Sequence, residues 1–78
     1  MPTVLRVDGY RFIIFTNDHN PPHIHVQRAE GGAKISLQPI EVVTYHALNA
    51  RQLREIIVIV NEYRDYLLDK WREVQGDD

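Results

Sequence analysis

Seventy-eight residues without a cysteine make one domain with a thin core, and they exclude both a disulfide framework and a thiolate metal site. A formal net charge of −2 with histidine neutral argues against a strong non-specific polyanion binder. The start, MPTVLRVDGY, lacks a charged region followed by a long apolar run, and nowhere do about 18 apolar residues follow one another. A soluble, cytoplasmic protein with no membrane association is the expectation.

In chain order, Thr3 to Val7 alternates loosely, Asp8-Gly9 is a two-residue hairpin signal that accepts positive φ, and YRFIIF from Tyr10 to Phe15 is rich in β-formers. This predicts a first hairpin with strands near 3–7 and 10–15. After a polar, proline-rich loop from Thr16 to Pro22, HIHVQRA alternates again, and Gly31-Gly32 is read as the turn into AKISLQ. A second hairpin with strands near 23–29 and 33–38 follows. Pro39 stops the fourth strand, and IEVVTY is read either as a short further strand or as a crossover.

Asn49 is placed to cap a helix, and from Ala50 to about Val74 the period becomes helical. Leu53, Ile56, Ile57, Val60, Leu67, Trp71 and Val74 follow three- and four-residue steps, with Val58 and Ile59 broadening the stripe early on. Such a helix would run about 36 Å, longer than a four-stranded sheet is wide, so its end, with Leu67 and Trp71, is expected to seek a partner or a second copy of the chain. The fold class is α+β, a small antiparallel sheet of two hairpins packed on one long C-terminal helix, in a single domain over residues 1–78.

Chemistry concentrates in NDHNPPHIHV, where three of the four histidines fall within seven positions around Pro21-Pro22. His23 and His25 are two apart in a predicted strand, so they leave one face, with Ile24 and Val26 turned the other way toward the helix. Both imidazoles are then expected on the far side, exposed unless something covers them. A His-x-His pair is a workable two-ligand start for zinc or another divalent metal such as nickel, and His19 or Asp18 would supply the third ligand if the prolines fold the loop back. Imidazoles in that position also suit acid–base work near neutral pH, including RNA cleavage, with Arg28, Arg11 or Lys34 neutralising the phosphate. The plain alternative is a turn stabilised by Asn17 and Asp18, with the histidines as polar residues of an exposed sheet. His46 stands apart just before the helix and reads as a loop or capping side chain. Gly31-Gly32 lacks the spacing of a phosphate cradle, and Ser36 has nothing like a nucleophile elbow around it.

The stretch MPTVLRVDGYRFIIFTNDHNPPHIHV, followed by a short strand and LNARQLREIIVIVNEY, resembles a small bacterial family known as domain of unknown function 4160. Its members open Met-Pro-Thr-x-x-Arg and carry Asn-Asp-His-x-Pro-Pro-His-x-His-Val. The signature falls on Asn17, Asp18, His19, Pro21, Pro22, His23 and His25, with Arg6 and Lys34 as companions. The resemblance implies a partner encoded by a neighbouring gene, in an arrangement like a toxin–antitoxin pair. The apolar helix implies a tight partner or dimer surface.

The functional expectation is therefore a component of such a two-gene module, acting on RNA or on a translation component. In it His23 and His25 form the acid–base pair, His19 and Asp18 tune them, and Arg11, Arg28 and Lys34 bind phosphate. Two alternatives stand beside it: a non-catalytic module binding a protein through its helix, and a metal-dependent version of either with His19, His23 and His25 as ligands.

Overall fold

The structure is a computed structural model and describes residues 3–15 and 21–75. Five strands form one antiparallel sheet in sequence order: β1 (Thr3–Val7), β2 (Tyr10–Ile13), β3 (His23–Arg28), β4 (Gly31–Leu37) and β5 (Ile40–His46). Two helices follow, α1 (Ala50–Glu62) and α2 (Arg64–Gln75). The fold is α+β. Among the described residues, no helix is long and apolar enough to cross a membrane.

The β1–β2 turn forms where Asp8-Gly9 places it, with both residues at positive φ, 53° and 83°, as the twist of a two-residue hairpin demands. The β3–β4 turn differs from the expectation. It falls at Ala29-Glu30, with Ala29 at φ 51°, and both glycines become the first residues of β4. Their smallness serves close approach rather than turning: a Cβ on Gly31 would lie 2.5 Å from the Ala47 carbonyl oxygen and 2.8 Å from Leu48 Cδ2. β2 and β3 also pair, so the two hairpins merge into a meander, and IEVVTYH adds a full fifth strand to β4 rather than crossing over.

Alternation sets the core. Tyr10, Phe12, Ile24, Val26, Ile35 and Leu37 leave one face of the sheet and are buried against Ile56, Ile59, Val60, Leu67, Leu68 and Trp71 of the helices. Ile24 and Val26 thus face the helices as their spacing requires. Asn49 caps α1 in a capping box, its side chain accepting from the Gln52 amide while Gln52 Oε1 accepts from the Asn49 amide.

A single straight helix does not form. The chain bends at Tyr63 (φ −106°, ψ 18°), and the two shorter helices each keep an apolar face on the core. The second helix packs its apolar side chains into the chain's own core. Leu67 and Trp71, expected to face a partner, are 0% and 5% exposed and belong to the core. Val58, read as part of the buried stripe, is instead 64% exposed.

Candidate functional site

The strand register places a row of side chains across the whole uncovered face. Arg6 pairs with Arg11, Arg11 with Gln27, Gln27 with Gly32, and Gly32 with His46, so one line crosses all five strands. A second row runs Ile13, His25, Lys34, Thr44, and a third His23, Ser36, Glu41. Paired residues of an antiparallel sheet share a face, so Arg6, Arg11, Lys34, His25 and His46 belong to one surface. Glu41 is the one acidic strand residue among those described. The acidic side chains of Glu55, Glu62, Asp65, Asp69 and Glu73 lie on the helices. Arg51, Arg54, Arg64, Lys70 and Arg72 balance them there, whereas on the strands' open face Arg6, Arg11 and Lys34 outnumber Glu41.

His23 and His25 do share this face and touch, their ring centroids 5.1 Å apart and their planes at 77°. They are not equally open. α2 reaches this end of the sheet, where Gln75 donates to the Phe15 carbonyl, and Trp71 stands 5.1 Å from the His23 ring. His23 is consequently only 7% exposed, because Trp71 covers the far side to which strand parity assigns it. Its Nδ1 lies 3.0 Å from the Pro21 carbonyl oxygen, which can only accept, so that nitrogen carries the hydrogen. His25 is half-buried, edge-on to Phe15 at 4.7 Å.

The phosphate-binding trio expected from the sequence is split. Arg11 and Lys34 stand on the histidine face, Arg11 donating to Gln27 Oε1 at 2.6 Å. Arg28 leaves the opposite face, where its guanidinium lies 4.9 Å from the Tyr10 ring centre and donates to the Asp8 carbonyl at 2.7 Å. Tyr10 in turn donates to Glu55 at 2.7 Å; burial first, and then this carboxylate, push its phenol above the ordinary value, with Arg28 opposing. Arg28 therefore stands on the helical side, apart from Arg11 and Lys34. His19 and Asp18, expected as tuning residues or ligands, lie outside the described residues. Among the described residues, no three His, Cys, Asp or Glu side chains gather to hold a metal.

The family model for a domain of unknown function, DUF4160, matches residues 9–72. The chain belongs to that family. The comparisons with curated proteins and with solved structures give no match. The DUF4160 match takes in Arg11, His23, His25, Lys34, His46 and Trp71, and so most of the open face together with the residue that covers its far end.

In this DUF4160 domain the least expected member of the face is His46, which the sequence places in a loop. It is the last residue of β5. Its orientation depends on an irregularity of register: Val42 pairs with Ile35 and Thr44 with Lys34, so Val43 is an extra residue. Strict alternation from Ile40 would turn Thr44 and His46 toward the helices. The bulge turns them outward, where they share a cleft of about 380 Å³ with His25, Gln27, Lys34 and Glu30.

Proposed function

We infer that this domain is the RNA-contacting component of a two-gene, toxin–antitoxin-like module, and that its open sheet face carries the contact. The observation behind this reading is the row of pairs that brings Arg6 and Arg11 to one surface with Lys34, His25 and His46. Arg6 and Arg11 are directly opposite like charges, an arrangement that costs stability in the free protein. A polyanion relieves that repulsion. The contact is chiefly to phosphate, because the face offers cations and imidazoles but few aromatic rings for base stacking.

His23 and His25 have different places in this reading. His23, packed under Trp71 and bonded to the Pro21 carbonyl, holds the strand end and supports the His25 ring. His25 lines the cleft and in this reading exchanges a proton with bound RNA. The test is binding of single-stranded RNA, followed by fluorescence anisotropy across a salt series. Three cations on the face set a log–log slope of about −2, from about 0.7 per phosphate contact. The Arg11→Glu, Lys34→Glu double variant should lose most of the affinity. Unchanged binding by a folded double variant rejects the reading.

A second surface suits the protein partner. Val43 and Tyr45 of the edge strand β5 are 50% and 57% exposed, and an apolar groove of about 410 Å³ lies between Val42 and the α1 residues Leu53, Ile57 and Val58. A cognate protein from the neighbouring gene would meet this edge rather than Leu67 and Trp71. Co-purification should then be lost on Val58→Asp and kept on Lys34→Gln. If Val58→Asp instead converts a dimer to a monomer in light scattering, the surface serves a second copy of the chain.

A further inference from the structure

The cleft at the Gly32 end of the open face is shaped by backbone as much as by side chains. Gly32 leaves an opening between Gln27 and His46 in the row that crosses the sheet. The His46 ring leans into it: a Cβ on Gly32 would lie 3.0 Å from His46 Cε1 and 3.5 Å from Nε2. The imidazole is thus turned inward over Gly32, in the cleft that His25 also lines. At about 4.8 Å between strands and about 3.4 Å per residue, the Cα atoms of Gly32 and His25 stand about 8 Å apart, with Lys34 next to His25 in the second row. His25, Lys34 and His46 all line the one cleft of about 380 Å³, which accommodates a tetrahedral oxyanion.

The surrounding groups select among oxyanions. Lys34 supplies a point charge, the imidazoles supply N–H donors and Thr44 a hydroxyl, a set that matches non-bridging phosphate oxygens. Glu30 is the one carboxylate lining the cleft among the described residues, and it opposes a second negative charge on the ligand. A volume of about 380 Å³ also exceeds a bare phosphate and leaves room for an attached sugar.

We propose that this cleft is a phosphodiester subsite, in which Lys34, His25 and His46 hold one internal phosphate of an RNA strand that continues along the Arg11–Arg6 row. The assignment rests on the RNA reading above and deepens it: it names the phosphate's seat and makes His46, rather than His23, the imidazole that works opposite His25.

The test is nuclear magnetic resonance on the isotopically labelled full chain, titrated separately with a mixed-sequence single-stranded RNA octamer and with inorganic phosphate. The octamer should shift the ring signals of His25 and His46 together with Lys34, and inorganic phosphate should reach the same nuclei more weakly. Lys34→Gln should weaken octamer binding at least about tenfold, the loss of one charge-assisted contact, with an unchanged melting temperature. His46→Asn, which removes the ring, should abolish the His25 shift and serves if Lys34→Gln fails to fold. Octamer shifts confined to Arg6 and Arg11 would overturn the subsite and leave the RNA reading standing. Inorganic phosphate held in the cleft without any octamer binding would overturn the diester assignment and the RNA reading together. Silence at these nuclei with both probes also overturns both.

Discussion

His23 and His46 project from the same face of one sheet, at opposite ends, into different surroundings. At the His23 end α2 covers the sheet, and Trp71 and the Pro21 carbonyl fix the ring. At the His46 end the face is uncovered, a glycine opens the surface, and the imidazole lines a cleft. Strand parity assigns a side chain to a face, but the reach of neighbouring elements decides whether that face is interior or surface at a given point. The same residue type is a packing side chain at one end and a cleft-lining one at the other.

The sharpest way to break this comparison is to uncover His23. Trp71→Ala removes the ring from a core position 5% exposed and should cost about 3–5 kcal/mol in chemical denaturation, the usual loss for a buried aromatic. If the cost stays under about 1 kcal/mol, Trp71 does not hold that end closed. Next in size, His23→Ala should cost about 2 kcal/mol, from a buried hydrogen bond and two ring contacts. A loss confined to RNA binding, with stability intact, would move His23 into the ligand-facing class.

On the helical side, Tyr10→Phe should cost about 1 kcal/mol through its bond to Glu55. It also changes the pH profile. The folded phenol holds its proton above its ordinary value, so between pH about 10 and the folded value the unfolded chain binds fewer protons. The wild-type contribution is therefore complete below pH about 10 and is lost as pH rises beyond it. Denaturation at pH 9 and pH 10.5 should show a steeper fall for the wild type than for Tyr10→Phe. The smallest effect on stability belongs to the open end: His46→Ala should stay within about 0.5 kcal/mol of the wild type in denaturation while RNA binding falls. A large destabilisation there would erase the distinction between the two ends.

Much of this architecture is legible in residue order, for local reasons. Asp8-Gly9 marks its turn because both positions need positive φ. Asn49 marks its helix because its side chain meets the Gln52 amide. Ile24 and Val26 mark the core face because alternation is strict in β3. What escapes is set by register or tertiary reach. The extra residue Val43 reverses the parity of β5 after it, so no pattern rule applied to IEVVTYH turns His46 toward the cleft. Gly31 and Gly32 imitate a turn, because the Ala47 carbonyl and the His46 ring that require small residues come from a different strand end. Arg28 imitates a companion of His25, yet its odd step from His25 sends it to the Tyr10 face, as strand parity alone already implies. The bend at Tyr63 has no proline or glycine to announce it, and it is what brings Trp71 over His23.

The order of strands in the sheet, which is simply their order along the chain, has a kinetic consequence. Each strand closes only a short loop to find its partner, so the entropy lost before the first contacts form is small for a β-rich domain. Folding should start from the hairpins. The helices, whose contacts with β1 and with the segment just after β2 span about sixty residues through Tyr66 to Val4 and Gln75 to Phe15, dock afterwards. Because α2 provides the cover over His23, the basic face would exist in outline before its packed end closes, and unfolding would open that end first.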